Sequence, residues 1–229
     1  MYLKNNMSDN RASAYIITTI FPPVLGGPAT YVHALGTALH ARGWQIAVMT
    51  FTKNPPLCVF PVIAIPFSFP LNSILLFFAL IKNARGYGVW YAHGGITATV
   101  PALCAAWITG ARCGIKVTGD YAWETARNRE WTDVGIDDFQ KKRYGFRNRC
   151  MAFVRAWVAR HADFVIVPRR YLGIMVAGWG AESKRIAVVP NAVTEARYSG
   201  VTRDPFLFFS AGRFVSWKRF DALLRMFAA

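Results

Sequence analysis

The segment AYIITTIFPPVLGGPATYVHALGTALHARG, residues 14–43, decides the fold because it joins a strand, a glycine-containing loop and a helix. Residues 14–20 are largely apolar and predict a buried strand. Residues 29–42 predict a helix, since apolar side chains recur there at helical spacing (Val32, Leu35 and Leu39). A buried strand that leads into a helix is the repeating unit of a parallel sheet.

The same alternation continues along most of the chain. Further strands are expected at residues 45–51, 59–65, 89–93, 112–118, 162–167 and 185–189, and further helices at residues 71–81, 97–109 and 171–179. Near-continuous apolar strands between helices predict an α/β fold, a Rossmann-like parallel sheet with helices on both faces. Such sheets bind ligands beyond the carboxyl ends of their strands.

The length and the order of the segments predict one large domain followed by the beginning of another. Residues 12–193 form the first domain, and the polar residues 194–205 form a linker. Residues 206–229 contain an apolar strand at 206–211 and a helix at 217–227, the first βα unit of a second α/β domain. One strand and one helix cannot bury both faces of a sheet. We therefore expect either a truncated sequence or a last unit that docks onto the first domain.

The charge balance points to an anionic partner. The 229 residues carry a formal net charge of +15, and 54% are apolar against 17% charged, which excludes a disordered polyelectrolyte. Phosphate esters, acidic lipids and nucleic acids all fit a basic protein. No groove-reading or base-stacking module is recognisable, so we expect no nucleic-acid partner.

The cysteines indicate a reducing, cytoplasmic compartment. They are scattered without a C-x-x-C pair or the spacing of metal ligands, and are expected to be free thiols (Cys58, Cys104, Cys113 and Cys150).

The uncharged stretch between Lys53 and Lys82 is long enough to span a bilayer. It contains five prolines, however, and therefore predicts a short strand and an apolar helix that lies against lipid at most.

A first candidate ligand site is the loop at residues 21–28, between the first strand and helix. Gly26 and Gly27 let backbone N–H groups approach a ligand, and the helix that follows favours negative charge at its amino end. A tight turn without a ligand is the alternative. The loop lacks the G-x-G-x-x-G pattern, and residues 49–53 lack the acid that holds a ribose hydroxyl. A nicotinamide enzyme is therefore disfavoured.

A second candidate site contains two cations near the end of the chain. Arg213 follows the expected strand, and Lys218 lies in the first turn of the expected helix. Two cations at this spacing can converge on one diphosphate and stabilise it as it departs. Two solvated surface cations are the alternative.

Four short motifs occur in an order typical of one enzyme family. GGPATYV at 26–32 resembles a G-G-x-x-x-x-V opening, and YAHG at 91–94 resembles an H-x-H-G segment with tyrosine in place of the first histidine. VVPNAV at 188–193 resembles an I-P-N-G-V hinge with alanine in place of glycine, and GRFVSWK at 212–218 resembles a G-R-L-x-x-W-K clamp. The chain thus resembles glycosyltransferase family 4, enzymes of the GT-B architecture with two Rossmann-like domains facing a cleft.

The resemblance implies transfer of a sugar from a nucleotide-diphosphate sugar to a glycan or lipid-linked acceptor. It implies retention at the anomeric carbon, no metal and no cofactor besides the nucleotide-sugar co-substrate. The amides of Gly26 and Gly27 would face the donor, while Arg213 and Lys218 would neutralise the departing diphosphate. The expected setting is the cytoplasmic face of a membrane, in glycan or polysaccharide assembly.

The acceptor side departs from the family pattern. Many members carry histidine at the end of the fifth strand, where this chain has GDYAWE at 119–124. Asp120 or Glu124 is a candidate for orienting the acceptor hydroxyl or receiving its proton. Helix capping by Asp120 and a surface position for Glu124 are the alternatives. His93 is a candidate contact for sugar or acceptor, with a structural role as its alternative.

The family's E-x7-E motif, which holds the donor sugar and ribose, does not occur in the sequence. The polypeptide as given is therefore expected to be inactive by itself. A non-catalytic phosphate- or membrane-binding α/β module is the alternative function.

The segment from Asp137 to His161 is strongly basic, with apolar residues at helical spacing and Gly145 as a dividing point. Such a segment can rest on an anionic membrane and present a lipid-linked acceptor to the cleft. The alternative is a helix that packs on the core and turns a solvated basic face outward.

Overall fold

The computed structural model describes residues 12–84, 86–141, 145–192, 205–212, 214–215 and 218–228. Seven strands form one sheet in the order β3-β2-β1-β4-β5-β6-β7, and every neighbouring pair is parallel. This confirms the predicted α/β fold. The strands are β1 (Ser13–Thr18), β2 (Gln45–Thr50), β3 (Val62–Ala64), β4 (Val89–His93), β5 (Arg112–Lys116), β6 (Phe164–Val167) and β7 (Ile186–Val188).

Helices alternate with these strands along the chain. They are α1 (Gly27–Ala41), α2 (Leu71–Asn83), α3 (Ile96–Thr109), α4 (Tyr121–Asn128), α5 (Ile136–Lys141), α6 (Phe146–His161), α7 (Arg170–Gly178) and α8 (Phe220–Ala228). A short 3-10 helix, Ser183–Arg185, precedes β7. Gly145 immediately precedes α6, so the basic segment is divided between α5 and α6 near the expected position.

The two faces of the sheet are buried in separate apolar clusters. Tyr15 and Ile17 of β1 join the larger cluster, which contains residues of α2, α3, α6 and α7. Ile16 of the same strand joins the smaller cluster, together with Val32 of α1. Because side chains alternate across a strand, α1 covers one face of the sheet while α2, α3, α6 and α7 cover the other.

The expected strand at residues 206–211 is not formed. Residues 205–212 contain no strand, and the apolar side chains of residues 206–209 are all exposed. A strand is stable only where a neighbour accepts and donates its backbone hydrogen bonds. None of the seven strands of the sheet pairs with this segment. The helix expected after it is present as α8, although α8 begins at Phe220.

The outer surface of α6 differs from a simple division into an apolar and a basic side. Its buried residues are Asn148, Val158 and Ala159, whereas Phe146 and Phe153 are 81% and 68% exposed. Two aromatic residues of the segment therefore face outward rather than packing on the core. Across the described ranges, no helix is both long enough and apolar enough to traverse a bilayer.

Candidate functional site

The cleft at the carboxyl edge of the sheet is the candidate site. It has a volume of about 500 Å³ and is lined by residues that follow β1, β4 and β5, including Thr19, Gly94 and Gly119. The strand order changes direction between β1 and β4, because β2 and β3 lie on one side and β4 to β7 on the other. A crevice opens at such a switch point, which is where parallel α/β sheets bind ligands.

Two helices begin at the edge of this cleft without a side-chain cap. The N-cap residue is Gly26 for α1 and Gly95 for α3, and neither N-cap residue has a side chain that accepts a hydrogen bond from the first N–H groups. The first N–H groups of a helix have no acceptor within the helix, and the helix dipole adds positive potential there. Gly26 and Gly27 line the cleft together with Gly95 and Ile96. Both amino ends are therefore suited to anions.

Glycines bring the backbone close to neighbouring elements at the end of β4. Gly94 has a φ of +148°, and a Cβ atom added there would lie 2.9 Å from the side chain of Thr19. A Cβ atom on Gly95 would lie 2.9 Å from the ring of Tyr121. The turn into α3 therefore has no room for a Cβ atom at either position, which explains the two glycines.

Lys116, the last residue of β5, is a buried cation that the sequence analysis missed. The residue is only 3% exposed; its Nζ donates a 2.6 Å hydrogen bond to Asn191 Oδ1 and lies 3.3 Å from the centre of the Tyr31 ring. An amide oxygen and an aromatic face therefore replace the carboxylate that usually accompanies a buried cation. The available sequence signal was a lysine within an otherwise uncharged strand and turn, CGIKVTG (113–119).

His93 stands beside Lys116 at the end of β4. It is 3% exposed, its ring meets the ring of Tyr31 edge-on at 5.2 Å, and neither ring nitrogen has a hydrogen-bond partner among the described residues. Burial and the positive charge of Lys116 lower the pKa of His93 from 6.5 to about 4. The imidazole is therefore neutral and offers one donor and one acceptor to the cleft. Its contact with a sugar or acceptor stays a prediction.

Asp120 is the N-cap of α4, the alternative role considered for it. The residue is fully buried, and its Oδ1 accepts hydrogen bonds from the N–H groups of Ala122 and Trp123, at 3.0 and 3.3 Å. Its Oδ2 accepts a 2.8 Å bond from Gln140 and pairs with the guanidinium of Arg155. Four donors occupy the two oxygens, so the carboxylate holds the protein together behind the cleft.

Arg155 and Trp179 extend this network into the lining of the cleft. The guanidinium of Arg155 lies 4.4 Å from the Trp179 ring centre, and Trp179 Nε1 donates a 2.9 Å hydrogen bond to Gln140. The network joins α4, α5, α6 and the end of α7. Sequence reasoning missed it because the side chains in contact are 20 to 39 residues apart, beyond the reach of any local spacing rule.

Glu124 lies in the cleft, one turn after the cap of α4. The residue is half-buried, and its Oε1 comes within 2.5 Å of the position that a Cβ atom on Gly119 would take. A carboxylate in the first turn also interacts favourably with the helix dipole. Asp120 and Glu124 thus differ in position, since Asp120 supports the helix from which Glu124 enters the cleft.

The predicted cation pair is described only in part. Arg213 lies outside the described residues, and Lys218 is exposed and is not part of the described cleft lining. The clamp formed by Arg213 and Lys218 stays a prediction.

Over the described ranges, no three His, Cys, Asp or Glu side chains come together as a metal site.

Residues 26–192 match the family model described as "Glycosyl transferase 4-like domain". The comparison with curated proteins found no match.

Among solved structures, the Anabaena Alr3699/HepE complex with UDP and glucose is similar, with a TM-score of 0.53 and 14% identity over 80% of this chain and 45% of that one. The S. aureus MnaA–UDP structure has a TM-score of 0.52 and 14% identity, over 79% and 45% of the two chains. The UDP-N-acetylglucosamine 2-epimerase from Rickettsia bellii has a TM-score of 0.51 and 9% identity, over 77% and 44%. These similarities concern the fold, and the chain spans less than half the length of each structure.

The buried ion pair predicts the outcome of removing one charge. Asp120→Asn keeps an oxygen for the cap but leaves Arg155 unpaired, so we expect unfolding free energy to fall by about 3–5 kcal/mol. Adding Arg155→Met should restore most of the loss, because the unpaired charge left by the first substitution is then removed. Urea unfolding measures both changes. A single variant within about 1 kcal/mol of the parent would contradict the assigned role.

The lowered pKa of His93 predicts a pH-dependent stability. The unfolded chain binds a proton near pH 6.5 and the folded chain only near pH 4, so the folded state loses stability as pH falls between these values. The loss reaches about 3 kcal/mol, with Lys116, Tyr31 and Tyr91 around the ring. Unfolding of the parent and of His93→Gln should diverge over this range. Parallel pH profiles would show that the ring is not held neutral.

Proposed function

The chain belongs to the glycosyl transferase 4-like domain family, and from this membership we propose that it is the acceptor-side half of a retaining glycosyltransferase. The enzyme moves a sugar from a nucleotide-diphosphate sugar to a glycan or a lipid-linked acceptor. The observation that carries the proposal is the cleft at the switch point, which receives two uncapped helix amino ends, a buried ammonium and a neutral imidazole.

The donor diphosphate lies at the amino end of α1 in this proposal. When the bond between sugar and diphosphate breaks, negative charge grows on the departing group. The N–H groups near Gly26 and Gly27 stabilise that charge from one wall, and Arg213 with Lys218 stabilise it from the other. Fixed cations and backbone dipoles thus do the work for which other transferases use a metal ion.

The acceptor lies toward α4. Glu124 is the residue of this wall that we propose to orient the acceptor hydroxyl or to receive its proton, because it enters the cleft while Asp120 is engaged behind it. His93 contributes one hydrogen-bond donor or acceptor to the sugar or the acceptor. Asp120 acts as a positioning residue, since it fixes the first turn of the helix that carries Glu124.

The exposed face of α6 supports a site on the cytoplasmic face of a membrane. Phe146 and Phe153 project outward with Arg149, and residues seven apart lie on the same side of a helix. Aromatic and basic side chains on one helix face suit the boundary between acyl chains and anionic headgroups. A lipid-linked acceptor would reach the cleft from that side.

Transfer activity tests the proposed function. The protein expressed from its complete reading frame is incubated with a panel of nucleotide sugars and lipid extracts, and the anomeric configuration of the product is read by NMR. Arg213→Ala and Lys218→Ala should each lower kcat by about 100-fold, as expected for loss of a group that stabilises the departing charge. Arg225→Ala on α8 is the matched control, because Arg225 is also an exposed cation.

Unchanged kcat in both clamp variants would contradict the clamp. Binding of phosphate compounds or vesicles with no turnover of any nucleotide sugar would favour the non-catalytic alternative over the enzyme.

Vesicle flotation tests the membrane contact. The chain should float with phosphatidylcholine vesicles that contain phosphatidylglycerol and should sediment with vesicles of phosphatidylcholine alone. Arg149→Gln should weaken the partitioning by about fivefold, the effect of one basic residue near an anionic surface. Arg42→Gln is the control, because Arg42 is exposed at the end of α1 on the opposite face of the sheet. Equal effects of the two variants would contradict a specific α6 contact.

A further inference from the structure

Lys116 carries a charge that the ion pairs of the described residues do not neutralise. Arg155, the other cation in the lining, is paired with Asp120, and no described carboxylate lies within ion-pair distance of Lys116. Placing a charge in the protein interior is unfavourable unless something of opposite charge stabilises it. The amide oxygen of Asn191 takes one of the three N–H bonds of the ammonium, so further donors remain for a ligand.

His93 adds a second donor at the same place. Its neighbourhood consists of the Lys116 ammonium, the Tyr31 ring and the Tyr91 ring, and both ring nitrogens lack a partner although the residue is 97% buried. A buried polar group without a hydrogen bond is unfavourable in the folded protein. Because His93 lines the cleft, a bound molecule would supply the missing hydrogen bond.

The amino end of α3 contributes backbone donors next to both side chains. This helix has 14 residues, begins directly after Gly95 and has no side-chain cap. Gly94 follows His93 directly, and the side chains of Thr19 and Tyr121 leave no room for a Cβ atom at Gly94 or Gly95. The ammonium, the imidazole N–H and the first N–H groups of α3 therefore form a set of hydrogen-bond donors around one part of the cleft.

We propose that Lys116, His93 and the amino end of α3 form a subsite for a phosphate group carried by the acceptor. Several donors around one point suit the oxygens of a phosphate, for which a lysine ammonium and a helix amino end are both effective partners. This inference rests on the proposed function, in which the amino end of α1 is occupied by the donor diphosphate. The second uncapped helix then takes a second anion, and the acceptor is a phosphorylated molecule.

The first experiment requires no turnover. The 229-residue chain is titrated with inorganic phosphate, and the shifts of the Gly95 and Ile96 amides and of the His93 ring are followed by NMR. These signals should move together, and Lys116→Met should weaken phosphate binding by about tenfold or more. His93→Leu is a second variant with a smaller expected loss. Lys184→Met, an exposed lysine on the 3-10 helix, should leave the affinity unchanged.

Two results of the phosphate titration would overturn the subsite. Phosphate shifts confined to exposed basic residues such as Arg149, with the α3 signals unmoved, would overturn the subsite. Displacement of the phosphate by a nucleoside diphosphate such as UDP would assign the group to the donor and would also overturn the inference. Urea unfolding of each variant confirms that it is folded, so that a loss of binding is not a loss of structure.

A second experiment measures KM values of the active protein, and its results distinguish a failure of this inference from a failure of the proposed function. Lys116→Met should raise KM for a phosphorylated acceptor by about tenfold while KM for the nucleotide sugar changes little. The same variant should not change KM for the dephosphorylated form of that acceptor, which the parent protein should use poorly. A changed KM for the nucleotide sugar alone would refute the phosphate subsite while leaving the transferase standing. Phosphate binding at α3 without any transfer would refute the transferase while leaving the phosphate subsite standing.

Discussion

β1 and β4 are hydrogen-bonded neighbours, yet the helices that follow them cover opposite faces of the sheet. The chain must therefore leave the sheet in two directions at adjacent points, and no backbone can fill the space between them. The cleft is a direct result of this divergence. The same divergence places the amino ends of α1 and α3 at the border of the cleft. Residues at the ends of strands, such as His93 and Lys116, form its floor.

Charge in the cleft is organised by two different kinds of partner. The guanidinium of Arg155 is neutralised by Asp120 and supported by the Trp179 ring, so this pair fixes α4 against α6. The ammonium of Lys116 is held by an amide oxygen and an aromatic face, which leave its charge in place. The two cations of the cleft lining thus differ in function, because one is structural and the other still exerts its field on the cleft.

The sequence allowed the sheet, most of its helices and the glycine loop to be predicted, because each depends on local periodicity or on a turn residue. The fate of Asp120 was not predictable in the same way. Capping follows from its position before α4, whereas its pairing with Arg155 links residues 35 apart. The contact from Lys116 to Asn191 spans 75 residues. The expected strand at 206–211 failed for a related reason, since a strand needs a neighbour that no local pattern supplies.

Asn191 lies just beyond β7, in the stretch that leads out of the sheet, and it shares one ammonium with the floor of the cleft. A ligand that weakened this hydrogen bond on binding would, by thermodynamic reciprocity, bind more tightly when the bond is already broken, and by the same factor. A single hydrogen bond therefore joins the floor of the cleft to the stretch of chain that leads out of the sheet.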